Sequence, residues 1–212
     1  MNSLKEHLRP DRERFAADPF GYSNLAWMRW AIAQNLNGAD IDPERPPTKS
    51  DLKSPVLWLL QAHALSEAAT IVLRSQPDMG FIPEPVKGVC DSQYCAAGLM
   101  LVSYSLESCL KAMLIMKHGV GVYSEEEKKY RTHRLDELAK FIPDLSSKDL
   151  DILRILSYYA YWAGRYPDPG SGREAEIESI FSVSQHHQVT AAELMRLASR
   201  VMAYAQQFTG AL

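Results

Sequence analysis

Tyr104-Ser105-Leu106-Glu107-Ser108-Cys109-Leu110-Lys111-Ala112 sits inside a long apolar segment, and its reading decides the fold. Leu106 and Leu110 recur at helical spacing, as do Glu107 and Lys111, so an apolar face runs beside a charged line. Glu ahead of Lys by one turn is the favourable order for a helical pair. Ser103, Glu107, Lys111 and Leu114 share that line. The line admits two readings: an ion pair that packs helices or meets solvent, or a polar strip facing a groove between helices, where bundles build their sites.

Working outward, the segment predicts a helix from about Ser92 to His118, stopped at Gly119. A second helix is predicted from near His133 to just before Pro143, and a third after the Asp144-to-Ser147 turn, with Ser146 or Ser147 as cap and its end near Gly164. A fourth spans about Thr190 to Phe208, opened by the capping-box spacing of Thr190 and Glu193. The stretch Glu174 to Val183 is amphipathic and reads equally as helix or extended chain. Upstream, Asn24 to Leu36 predicts a helix capped by Ser23 or Asn24 and closed by Asn37-Gly38, then a Pro-rich loop from Gly38 to Ser54, then a helix from about Pro55 to Arg74. Alternating strand patterns and hairpin turn signals are scarce. The expectation is an all-α chain with a domain boundary near Asp91.

The chain has 212 residues, 46% hydrophobic and 23% charged, enough to bury a core without disulfides or metals. A net charge of -3 argues against broad, charge-driven binding along a nucleic-acid backbone, though not against a local basic patch. Cys90, Cys95 and Cys109 form no CxxC pair and no zinc spacing, which suits free thiols in a reducing compartment. Charges at Asp11 to Arg14 stand where a secretory leader needs apolar residues, and the longest apolar run, near Ala96 to Leu106, reads as a buried core helix. A cytoplasmic protein with no membrane span is therefore expected.

His133 opens the second helix ahead of Leu135-Asp136-Glu137-Leu138, where it caps the helix or reaches Glu107 on the first. His133 and Glu137 have metal-site spacing but no third ligand nearby, so no metal is expected. The third helix ends in Tyr158-Tyr159-Ala160-Tyr161-Trp162-Ala163-Gly164-Arg165-Tyr166. Arg165 beside Tyr166 suits a phosphate, a carboxylate or a planar base; equally, Arg165 ties down its own loop or pairs with an acid such as Glu107. The His186-His187 pair reads as a surface feature, and Lys128, Lys129, Arg131 and Arg134 beside Glu125 to Glu127 as a solvated loop. There is no phosphate-binding Gly-rich loop, nucleophile elbow or HExxH motif.

Taken in order, these residues resemble the HEPN domain family. The resemblance rests on Ser105-Leu106-Glu107 with Leu110-Lys111-Ala112, on His133-Arg134-Leu135 followed by Leu138, and on Arg165-Tyr166-Pro167-Asp168, and it covers about residues 93–207. It implies a bundle of four to five helices over residues 91–212, an N-terminal helical extension over residues 1–90, and a homodimer. Ribonuclease members of the family carry an Arg followed, about four to six residues later, by a His near the end of the third helix, for phosphate contact and proton transfer. Here Tyr166, Pro167 and Asp168 follow Arg165, and none of the six histidines has an Arg at that spacing. The resemblance therefore implies the branch that binds without cutting: a module holding a nucleotide, a phosphorylated small molecule or RNA, alone or beside a nucleotidyltransferase-type partner protein. Its ligand-binding candidates are Glu107, Lys111, His133, Arg165 and Tyr166, with no catalytic residue and no cofactor. Two alternatives stand beside it: a variant ribonuclease or toxin in which His133 or Tyr166 replaces the missing His, and an assembly protein using Trp27, Trp30 and Trp58 as contacts.

Overall fold

The computed structural model describes residues 8–209, and every regular element among them is helical. The chain divides into two compact units, one ending at Leu57 and the other beginning at Trp58. The border expected near Asp91 falls inside a helix that already starts at Lys87.

The first unit holds α1 (Arg12–Ala17), α2 (Pro19–Ser23) and α3 (Ala26–Leu36). Asp11 and Asp18 cap the first two by accepting from the Arg14 and Gly21 amides, which have no partner within the helix. Ser23 and Asn24, the expected caps of α3, instead donate to the Pro19 and Phe20 carbonyls of α2, so α3 starts without a side-chain cap. The Pro-rich loop is pinned. Asn35 exchanges two hydrogen bonds with Ile41 (2.6 and 2.8 Å), and the Trp27 indole donates to the Arg45 carbonyl at 3.2 Å. The Arg45 guanidinium pairs with Asp51 at 2.6 Å.

α4 (Pro55–Arg74) has the predicted bounds, and α5 (Lys87–Glu125) is the central element of the second unit. The helical path of α5 breaks at Gly119 (φ 80°, ψ 155°), where the sequence placed its end. That conformation lies outside the regions open to a residue with a Cβ, which is why glycine stands there. Two single turns follow, α6 (Glu127–Tyr130) and α7 (Leu135–Leu138). The second helix is thus much shorter than expected. Past Leu138 the chain tightens into i-to-i+3 turns, Lys140 N to Glu137 O and Ile142 N to Ala139 O, because Pro143 disfavours helical geometry in the residue before it. α8 (Ser147–Tyr158) runs into a π-helical turn over Tyr159–Ala163, and the ambiguous stretch proves helical as α9 (Glu174–His187). α10 (Ala191–Tyr204) and α11 (Gln206–Thr209) complete the unit.

Capping boxes at Ser146 and Thr190 open α8 and α10 as the sequence indicated. The Thr190 amide, with Lys148 and the Thr190 hydroxyl, holds the Glu193 carboxyl down at about 2. Leu106, Leu110 and Met113 of α5 are fully buried against Leu135, Leu153 and Val201, giving one core of which α5 is the axis. Each such aliphatic side chain contributes about 1.5–3 kcal/mol by leaving water. His187 is corrected from a surface residue: its side chain is 14% exposed and lies 3.0 Å from Asp151 of α8. By length and composition two helical stretches, Pro55–Arg74 and Glu84–Glu125, are long and apolar enough to cross a membrane, against the sequence expectation of none. The second is mostly buried, as a core helix is; little of α4 is.

Buried hydroxyls connect the helices. Ser157, 5% exposed, donates to the Leu153 carbonyl and accepts from the Leu135 amide, both at 2.9 Å. It thereby satisfies an unpaired N–H at the start of α7. Ser157→Ala is expected to cost about 1–3 kcal/mol, the penalty of leaving that amide buried without a partner. Urea unfolding measures it, and a cost below about 0.5 kcal/mol would show that water reaches the amide.

Candidate functional site

Glu107 and Lys111 project from the middle of α5, and each residue is only 8% exposed. Lys111 Nζ donates to Glu107 Oε1 at 2.7 Å, and His133 Nδ1 lies 2.8 Å from Glu107 Oε2. Both carboxylate oxygens are therefore engaged, the condition under which a buried charge is tolerable. The charge is also felt at buried Tyr123, whose hydroxyl is pushed up to about 12, chiefly by burial and further by Glu127, Glu107 and Tyr130. His133 stands just before α7, and the Leu135 amide at the start of that helix is taken by Ser157. The ring turns to Glu107 instead, the other reading that the sequence left open.

His133 is the exposed end of this chain of contacts, its side chain 43% accessible. The rings of Tyr104 and Tyr161 meet it edge-on, each with its centroid 6.1 Å away. Tyr104 is anchored by its hydroxyl, which donates to the Ala160 carbonyl at 2.9 Å. Tyr161 is aimed by the π-helical turn. One residue more than an α-helical turn is accommodated, shown by the Gly164 N to Tyr159 O bond at 3.3 Å, and the side chains past that point are rotated. Over the Tyr161 ring, 3.9 Å from its centroid, lies the guanidinium of Arg173. Arg173 precedes α9, whose first turn is tied to the π turn by the Trp162 indole donating to Glu176 at 2.7 Å.

Of the five residues singled out from the sequence, Glu107, Lys111 and His133 form one connected group. Arg165 and Tyr166 lie at the end of the π turn and, among the described residues, make no hydrogen bond or ion pair with those three. Arg165 donates to the Tyr161 carbonyl and rests 5.5 Å from the ring of Tyr166, which is 57% exposed. The reading in which Arg165 ties down its own loop is the one observed. Tyr104, Tyr161 and Arg173 were not foreseen. The aromatic run contained Tyr161, but its direction depends on the π turn, and Arg173 comes from a separate loop.

Chemically, the Glu107 carboxylate fixes the imidazole. In the neutral ring Nδ1–H donates to Glu107 and Nε2 is left to accept; on gaining a proton, Nε2–H donates to an anion. Arg173 supplies a positive group beside the same aromatic surface, with no carboxylate partner among the described residues. Among the described residues no group of three or more His, Cys, Asp or Glu side chains comes together. Glu137, the spaced companion of His133, pairs with Lys140 and, at 3.4 Å, with Arg134. Burial pushes the Cys109 thiol up to about 11, which keeps it protonated and unreactive. No family model matches this chain, and neither does any curated protein or solved structure.

Proposed function

We propose that this chain is a non-catalytic binding module of HEPN type that holds the phosphate of a nucleotide, a phosphorylated small molecule or an RNA end at the face made by His133, Tyr161 and Arg173. The observation that carries the reading is the 2.8 Å contact between buried Glu107 and His133 Nδ1, which presets the imidazole with Nε2 free. A protonated His133 and Arg173 both donate to phosphate oxygens, and the flat Tyr161 ring offers a surface for a base. The small acidic net charge fits a local site better than a long backbone track. Two copies acting as a homodimer, and a nucleotidyltransferase-type partner, belong to the same proposal through the HEPN resemblance.

A second reading draws on the same contact. A carboxylate orienting a histidine through Nδ1 is also the arrangement of a general acid–base pair, which favours the variant ribonuclease with His133 in the proton-transfer role. One experiment separates the two: titration of AMP, ATP and a labelled unstructured RNA into the full chain, with RNA integrity followed in parallel. Wild type is expected to bind without cutting, and His133→Ala and Arg173→Ala are each expected to weaken binding about tenfold or more. Binding unchanged in both variants overturns the proposal. Cutting that disappears in His133→Ala establishes the ribonuclease.

A further inference from the structure

The polar line of α5 continues beyond Lys111 to Leu114 and His118, one and two turns on. There α5 breaks at Gly119 and the chain returns through residues 129–141, enclosing a cleft of about 490 Å³. This volume lies within the roughly 300–1,000 Å³ of small-molecule sites. The cleft shares none of its lining with His133, Tyr161 or Arg173.

Its walls are aromatic. Tyr130, 7% exposed, stacks on Tyr123 with centroids 5.1 Å apart and planes within 4°. His118 continues the stack, 6.3 Å from Tyr130 and 21° from parallel. Phe141 supplies a further lining ring, held from behind by Tyr204 and Phe208. The lining carries Lys129 and Lys140 against Glu137, while Lys117 and Glu126 stand outside the lining. Lys129 is held by Glu126 at 3.2 Å, and Lys140 by Glu137. Lys117 lies 5.2 Å from the centroid of Phe141 and has no carboxylate partner among the described residues. The Tyr130 hydroxyl also donates to Glu126, at 2.9 Å, so that carboxylate is drawn toward the tyrosine. A lysine left over beside an aromatic surface is the feature a planar anion complements, since the ring takes the apolar wall and the anion takes the cation.

We propose that this cleft binds a planar aromatic anion, its ring against Phe141 and the His118–Tyr130 stack and its phosphate or carboxylate group on Lys117 and Lys140. The site goes beyond the His133 face and does not depend on it.

Four probes test the site by calorimetry on the full chain carrying Arg173→Ala, which weakens the separate phosphate face at His133: phenyl phosphate and benzoate as aryl anions, inorganic phosphate as a charge without a ring, and benzyl alcohol as a ring without a charge. At least one aryl anion is expected to bind about tenfold tighter than either control, and which of the two is tighter tells phosphate from carboxylate. In that background Lys117→Gln/Lys140→Gln is expected to remove about tenfold of the affinity, and Phe141→Leu to weaken it. Both lysines are on the surface, so the double variant decides even if Phe141→Leu fails to fold. Inorganic phosphate binding as tightly as the aryl anions, no aryl anion binding, or affinity that survives the lysine double variant would each overturn the proposal.

Discussion

Glu107→Ala is expected to lower the stability of the protein by about 3–5 kcal/mol, because it leaves the Lys111 ammonium buried without its counter-charge. Lys111 is 8% exposed, and Glu107 Oε1 is 2.7 Å from its nitrogen. A charge so placed cannot recover its hydration without opening the packing of α5. Replacing both partners by apolar groups of similar shape, as in Glu107→Leu/Lys111→Met, is expected to return most or all of the loss, since attraction within a buried pair only roughly offsets the cost of desolvating it. Urea midpoints at constant slope measure both variants. The double variant also frees His133 from its carboxylate, so it is expected to fold and yet bind phosphate ligands poorly. A single variant within about 1 kcal/mol of wild type would mean that water screens the pair, as at an exposed site.

Gly164→Ala is the second large effect, and it acts through space. A Cβ there would collide with Met100 Cβ and lie 2.9 Å from the Ala96 carbonyl oxygen and 3.0 Å from that of Tyr159. Two of the three obstacles are backbone, which no rotamer change can clear. The π turn must lift away from α5, at a cost expected near the upper end of the ~1–3 kcal/mol typical of overpacking. The same displacement moves Tyr161 from His133, so ligand affinity at that face is expected to fall about tenfold in protein that is still folded. Thermal unfolding and nucleotide titration, run side by side, read the two effects. Unchanged stability would show that the turn has slack, and unchanged affinity would show that Tyr161 does not shape the ligand face.

Much of the architecture follows from local pattern. The bounds of α4, the break in α5 at Gly119 and the capping boxes at Ser146 and Thr190 are each specified by residues within a turn of the feature. The failures are equally local in origin. Ser23 and Asn24 were expected to cap forward and bond backward, because α2 ends immediately before them. The helix after His133 shrank to a single turn, because Pro143 disfavours helical geometry just ahead of it and the chain past Leu138 tightens into i-to-i+3 turns.

For the candidate site, the sequence by itself determined the Glu107–Lys111 pair, since both partners lie on one helix at a fixed spacing, and it offered Glu107 as one of two destinations for His133. Tertiary structure alone decided between them, by giving the capping role to Ser157 and leaving the imidazole free to reach the carboxylate. It also decided that Arg173, not Arg165, stacks on Tyr161. The direction of Tyr161 depends on a π turn held against α5 by the close approach of Gly164, and no spacing along the chain encodes which backbone from another helix a glycine will touch.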